Sequence, residues 1–291
     1  MKIKINQPQW YWQKGKRSNQ EDALFPLDDD GKHLFFIVCD GVGGCDSGEV
    51  ASQLVCEAFG EFLPDRFEKG EKLDIHTFEE ALVHAWEKLY DNRKTSPSMA
   101  TTLTFAAITD EGVFLAHMGD SRIYQIRPGE GEIFCTEDHS LVHELMKRNK
   151  ISPQEAANHP QRHVITRCLN VQEDSRNYCE ATVDIIRDIN PGDIFLLCSD
   201  GVYDEASDEC ITEILSEDIS LSEKREKLAQ ATCCSSDNNT AILIEIQSVV
   251  REERDHDGNV SFETHLSSYG LPGWLQQIGQ SAKRWMGKYF H

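Results

Sequence analysis

Six acidic residues occupy places where a chain can hold a carboxylate rigidly. Asp40 ends the apolar run in "FFIVCDGVGG", Asp200 ends that in "DIFLLCSDGVYDE", and Asp237 in "SSDNNTAILIEI" precedes a third. Glu21 and Asp22 are neighbours in "RSNQEDA", and Asp120 lies in the short connection of "VFLAHMGDSRIYQI", a hairpin spacing. Alone, each reads as a turn residue, because Asp bonds readily to nearby backbone. Together they read differently. Carboxylates collected at strand ends repel one another and hold protons more tightly unless a cation neutralises them. Oxygen ligands without His or Cys suit Mg²⁺ or Mn²⁺ better than Zn²⁺, so a divalent-cation site is the economical expectation.

Rigid placement needs strands to carry the carboxylates. Runs at 34–39, 101–108, 112–118, 122–127, 193–198 and 239–247 have the length and apolar content of strands. Between the first two, Val50, Leu54, Val55, Ala58, Phe59 and Phe62 form one helical face, and Phe78, Leu82, Ala85, Trp86 and Leu89 form another. Further helices are expected at 140–148, 153–158, 207–217 and 222–232. Consecutive strands with helices grouped around them argue for an α+β layered domain with mainly antiparallel sheet. That domain is expected over 1–248. A polar linker at 249–263 and an amphipathic basic C-terminal helix at 264–291 follow it.

Bulk composition narrows the function classes. The 291 residues carry a net charge of −21, the wrong sign for a nucleic-acid binder. No apolar run approaches membrane-spanning length, and the N-terminal stretch has no continuous apolar core, so a secretory signal is not expected. Ten cysteines include no C-x-x-C pair, and Cys39, Cys56 and Cys198 sit inside apolar runs as small hydrophobes. Reduced thiols in the cytoplasm are the simplest reading.

The acidic turns belong to a longer ordered set: "RSNQEDA", "FFIVCDGVGG", "SMATTLTFA", "GDSRIY", "TEDHS", "ISPQEAANHPQRHVITRCLN", "LLCSDGVYD" and "SDNNTAILI". In these motifs and their order, over roughly residues 8 to 247, the chain resembles the type 2C (PPM) metal-dependent protein serine/threonine phosphatases of bacterial form. The resemblance implies a four-layer αββα sandwich. Its two mainly antiparallel sheets would carry a dinuclear metal site at one edge, with helices on both outer faces. It also implies hydrolysis of phosphoserine and phosphothreonine in proteins by a metal-bridging hydroxide, without a covalent intermediate, opposing a serine/threonine kinase.

Residue by residue, the resemblance implies that Asp40 bridges two Mn²⁺ or Mg²⁺ ions, with the Gly41 carbonyl adding a ligand to one. Asp200 and Asp237 would complete the other shell, Glu21 and Asp22 would hold metal-bound waters, and Asp120 would serve a third ion. Arg17 matches the family's phosphate-binding arginine, whose forked donors can grip two phosphate oxygens. A water between two cations loses much of its pKa, which suits monoester hydrolysis near neutral pH. The chain departs from the pattern at Val42, where some members carry a histidine proposed as the acid for the leaving group. His139 is a weaker candidate for that role, and Ala100 replaces a frequent glycine. Residues 140–170 resemble the family's flap, with Ser152 and Pro153 opening a helix.

Rival chemistries lack their residues. No cysteine is followed six positions later by arginine, "GDSR" lacks the late Asp-x-x-His of certain serine hydrolases, and "DGVGGCDSG" lacks dinucleotide-binding spacing. A catalytically dead phosphoprotein-binding relative would be expected to lose metal aspartates, and all are kept. In the tail, Trp274, Leu275, Ile278, Ala282, Trp285, Met286 and Tyr289 fall on one face of an expected 271–290 helix, with Lys283, Arg284 and Lys288 opposite. Packing on the catalytic domain, docking to a protein partner and lying on an anionic membrane surface all stay open for it.

Overall fold

The computed structural model describes residues 1–27, 33–42, 47–94, 98–171 and 180–251, and the backbone of 252–254 and 260–266. The strands are β1 (Lys2–Ile5), β2 (Gln9–Gln13), β3 (Asp22–Phe25), β4 (Phe35–Asp40), β5 (Ala100–Thr101), β6 (Leu103–Ile108), β7 (Val113–Met118), β8 (Arg122–Arg127), β9 (Gly131–Cys135), β10 (Leu169–Asn170), β11 (Thr182–Ile186), β12 (Ile194–Cys198), β13 (Asn239–Arg254) and β14 (Val260–Leu266). The helices are α1 (Gly48–Glu68), α2 (Ile75–Asn92), α3 (Leu141–Lys147), α4 (Pro153–Ala157), α5 (Asp200–Tyr203), α6 (Asp208–Ser216) and α7 (Leu221–Ala231).

Two antiparallel sheets form the body. One runs β11-β7-β6-β4-β3; the other runs β1-β13-β12-β8-β9, with β2 and β14 also paired to the long β13. Their central strands are apolar on both faces because each face meets a different layer. Along β4, Phe35, Ile37 and Cys39 pack with α1 and α2, while Phe36 and Val38 face the second sheet. Along β12, Ile194, Leu196 and Cys198 pack with α6 and α7, while Phe195 and Leu197 face the first sheet. The order is therefore helix, sheet, sheet, helix, the expected four layers. Ring contacts link Phe105 to Phe59, Phe78 and Phe114 beneath α1 and α2. Each such buried ring is worth about 2–3 kcal/mol of removed apolar surface.

The expected central strands and the helices at α1, α2, α3, α4, α6 and α7 are all present. Ser152 caps α4, with Pro153 in its first turn and Glu155 completing a capping box. The differences lie at the edges. β1 alternates over only four residues, and β2 and β9 are half-exposed strands whose mixed burial gives no clean alternation. β13 continues through Arg254 and pairs with β14, Ser248 opposite Leu266 through Arg254 opposite Val260. Residues 249–254 and 260–263 are thus strand backbone where a polar linker was expected, and 264–266 are strand where the C-terminal helix was expected to begin. Residues 255–259 and 267–291, including the expected 271–290 helix, lie outside the described residues.

Candidate metal centre

The two sheets meet at the ends of β4 and β12. Asp40 is the last residue of β4, and its backbone is clamped: its N–H donates to Thr102 Oγ1 at 2.9 Å, and its carbonyl accepts from Thr102 N–H and Thr101 Oγ1, both at 2.8 Å. Asp22 lies directly opposite Asp40 in the β3–β4 register. Gly41 follows with its N–H on the Glu21 carbonyl at 3.0 Å. A Cβ there would stand 2.4 Å from the Gly48 carbonyl carbon and oxygen and 2.8 Å from Glu21 O, so only glycine fits.

From the second sheet, Asp200 opens α5 one residue after Ser199. Ser199 ties the sheets together: its Oγ donates to Asp22 Oδ2 at 2.8 Å and accepts from Thr240 N–H at 3.0 Å. Asp237 precedes β13, its Oδ1 accepting Asn238 N–H at 2.8 Å and its Oδ2 accepting Arg17 Nη2 at 2.6 Å. Asn238, which sequence reasoning passed over, fastens the N-terminal loop. Its Nδ2 donates to Lys14 O at 2.8 Å and Asn19 O at 2.9 Å, and its Oδ1 accepts Glu21 N–H at 2.8 Å. The only available signal was its place in the "SDNNT" turn.

Arg17, Glu21, Asp40, Gly41, Asp120, Asp200 and Asp237 line one cavity of about 530 Å³. Asp22 is set behind it, 3% exposed. Burial raises every one of these acids that shifts. Asp22 is pushed up to about 6 and Asp120 to about 7. Asp40 goes well above the usual range, through burial and then the charges of Asp22, Asp200, Asp120 and Asp237. Asp200 is raised likewise, by burial, Asp120 and Asp237, and Glu21 mainly by burial. Asp22 Oδ1 and Asp200 Oδ1 are buried without a hydrogen-bond partner among the described residues. Orphaned carboxylate oxygens in mutual repulsion are what a hard divalent cation satisfies, so the donor set fits Mn²⁺ or Mg²⁺.

Asp120 sits in the β7–β8 turn and is held from both sides. Gly119, at φ 104°, donates its N–H to His139 Nδ1 at 3.2 Å, and Tyr203 OH donates to the Asp120 carbonyl at 3.0 Å. His139 Nε2 meets Thr182 Oγ1 at 2.9 Å, so both ring nitrogens are engaged and neither faces the cavity as a proton donor. Burial pushes its pKa down to about 3. Ala100, on β5, accepts Val42 N–H at 3.0 Å through its carbonyl, a contact that any residue type there could make.

The 140–170 segment returns to the site. Arg162, His163 and Ile165 line the cavity, and β10 pairs with β5 beside it. His163, Asp200 and Asp204 bring ligand atoms within 4.8 Å of one another, the one trio of His, Cys, Asp or Glu so close among the described residues. His163 and Asp204 were not foreseen, because nothing local in their sequence marks them. Among the described residues no helix is long and apolar enough to cross a membrane.

Comparison with known proteins shows the family and the fold. The family profile described as Protein phosphatase 2C matches residues 14–232. The protein phosphatase PhpP of Streptococcus pneumoniae is 32% identical over 226 residues, 74% of this chain and 86% of its own. The crystal structure of the Mycobacterium tuberculosis serine/threonine phosphatase PstP/Ppp superposes with a TM-score of 0.70 at 31% identity, covering 83% of this chain and 98% of that one. A PstP catalytic domain in complex with two manganese ions superposes with a TM-score of 0.68 at 29% identity, over 83% and 98% of the two chains.

Proposed function

This chain belongs to the protein phosphatase 2C family and is a metal-dependent protein serine/threonine phosphatase; from that premise, we propose which of its residues carry the reaction. Asp40, Asp200 and Asp237, with the Gly41 carbonyl, would hold two Mn²⁺ or Mg²⁺ ions. Glu21 and Asp22 would orient water around them, and Asp120 would serve a third ion. The observation that carries this reading is the convergence of five buried or half-buried aspartates from two sheets, two of them with orphaned oxygens. When bound, the cation pair makes water nucleophilic near neutral pH and offsets charge on the phosphoryl oxygens.

The chain's own groups do the positioning. Thr101 and Thr102 fix the Asp40 backbone, so its carboxylate enters the cavity from a rigid strand end. Asn238 and Asp237 fix the loop of Arg17, whose guanidinium is half-exposed at the cavity mouth and free to exchange Asp237 for two phosphate oxygens. Arg162 and His163 come from the flap segment and border the path along which a phosphorylated chain would enter.

Phosphoserine and phosphothreonine proteins are the substrates, and a cognate serine/threonine kinase supplies them. The catalytic unit is assigned to residues 1–248, closed by β13, and the free buried thiols of Cys39, Cys56 and Cys198 favour a cytoplasmic setting. Hydrolysis of p-nitrophenyl phosphate and of phosphoserine and phosphothreonine peptides, with Mn²⁺ and with EDTA, tests the assignment. Turnover that needs the metal and disappears in Asp40→Asn is the expected result. Turnover unchanged by chelation would overturn it.

A further inference from the structure

Cys233 and Cys234 are adjacent in sequence, and among the eight described cysteines they alone are exposed. Their sulfurs lie 3.7 Å apart on the same side of the turn that follows α7. Gln230 Nε2 donates to Cys233 Sγ at 3.4 Å, which holds that side chain in place. We propose that Cys233 and Cys234 form a chelating dithiol site for trivalent arsenicals, and that its occupation acts on the Asp237 loop.

The geometry suits one thiophilic centre bound to both sulfurs. With bonds of about 2.3 Å, the length of a zinc–thiolate bond, two sulfurs at this separation subtend roughly 107° at the centre. A d¹⁰ cation such as Zn²⁺ would still need two more ligands. Trivalent arsenic carrying one organic group needs only the two sulfurs. The exchange balances without an oxidant: phenylarsine oxide and two thiols give the cyclic dithioarsenite and water. Two As–S bonds form, the As–O bonding is lost, and both thiol protons leave in the water. Arsenic stays trivalent.

The pair is wedged between an anchored residue and the metal loop. On one side Thr232 is fully buried and bonded to Tyr11 OH, Asn239 Oδ1 and Leu228 O. On the other, Ser235 accepts Lys16 N–H through its carbonyl at 3.0 Å and Asp237 N–H through its Oγ at 3.1 Å. A bridge across the sulfurs restricts the Cys233–Cys234 backbone, and Thr232 cannot yield. That restriction is passed to Ser235, and from there to Asp237 and the loop bearing Arg17.

Phenylarsine oxide titrated against the full chain tests both halves. The expected result is one adduct per chain by intact mass with loss of two free thiols, released by a 1,2-dithiol but not by an equal concentration of a monothiol. Cys233→Ser and Cys234→Ser should each abolish that pattern while leaving untreated turnover intact. Mn²⁺ affinity measured by calorimetry should fall on the order of tenfold in the adduct, the scale typical of disturbing the groups that support a metal ligand. An identical adduct in the Cys233→Ser/Cys234→Ser double variant, or its ready release by the monothiol, would overturn the chelate. A fully formed adduct with unchanged Mn²⁺ affinity would overturn the coupling to Asp237. The mass and thiol readouts stand independently of the metal assignments.

Discussion

Asp22 and Asp40 are cross-strand neighbours, facing each other in the antiparallel register of β3 and β4, each with a raised pKa. Like charges in that position oppose sheet formation. Asp40→Asn is therefore expected to separate stability from activity. Metal-free protein should melt no lower than wild type, while Mn²⁺-dependent turnover falls by at least ~100-fold, the upper range for losing a group that supports a metal. Thermal melts in EDTA beside p-nitrophenyl phosphate assays check this pair of outcomes. A variant that melts earlier and still turns over would contradict both.

Cation binding should stabilise the fold more as pH rises. Asp22 and Asp120 titrate near 6 and 7 in the metal-free protein because burial disfavours their charged forms. Acids raised in the folded state contribute stability that is full below their unfolded pKa and lost as pH climbs through 6 to 7. Cation binding needs the same groups deprotonated, so the gap between Mn²⁺-loaded and EDTA-treated protein widens over that window. At a Mn²⁺ concentration 100 times Kd the gain is about 2.7 kcal/mol. Melting curves at pH 5.5 and pH 8 read it directly.

Arg17→Ala should act on substrate capture. Its guanidinium is bonded to Asp237 at 2.6 Å and lies half-exposed at the cavity mouth. Removing the fork should raise KM for a phosphopeptide by roughly tenfold, with a smaller change in kcat, and Arg17→Lys should recover only part. Steady-state kinetics on the three proteins give the answer; an unchanged KM would remove Arg17 from phosphate binding.

Asn238→Ala should destabilise the chain by about 2–4 kcal/mol, because Lys14 O, Asn19 O and Glu21 N–H lose their shared partner. Urea unfolding measures the loss. KM should rise as well, since the loop holding Arg17 is no longer tied down.

His139→Gln tests a half-buried neutral imidazole. Its folded pKa is about 3, lowered first by burial and then by the stacked His117 ring 4.5 Å away. A histidine depressed in this way contributes stability that is complete above its unfolded pKa near 6.5 and lost as pH falls toward the folded value. Between pH 7.5 and 5 the wild type should forfeit about 1 kcal/mol that the variant does not, since solvent screens part of the effect at a half-buried ring. Urea titrations in EDTA at both pH values, compared between the two proteins, cancel the opposite trend of the buried aspartates.

The layered fold was legible because β4, β6, β7, β12 and β13 are apolar on both faces and α1 and α2 show clear helical stripes. Asp40 and Asp200 were legible because each sits where such a strand stops, Asp237 because one starts just after it, and Asp120 because it joins two. Edge strands β1 and β2 were not, since the alternation of β1 runs for only four residues and the three aromatics of β2 give no in-and-out pattern. Asn238 and Tyr203 escaped for another reason. They act through bonds to backbone groups up to 224 positions away in the chain, and such pairings leave no local period. The extension of β13 to Arg254 was hidden by its charges, which read as a solvated linker.

Strand β13 lies between β12 on one side and β1 and β2 on the other, so it is the keel of its sheet. During synthesis the strands of the other sheet, Asp22 to Ile186, are all made before it begins. β1 and β2 must wait on the ribosome, unpaired, until more than 200 further residues have emerged. Asp237 arrives in that same last segment. A chain that ends before β13 lacks both Asp237 and the partner of β1 and β2, so on the proposed assignment phosphatase activity waits until β13 is in place.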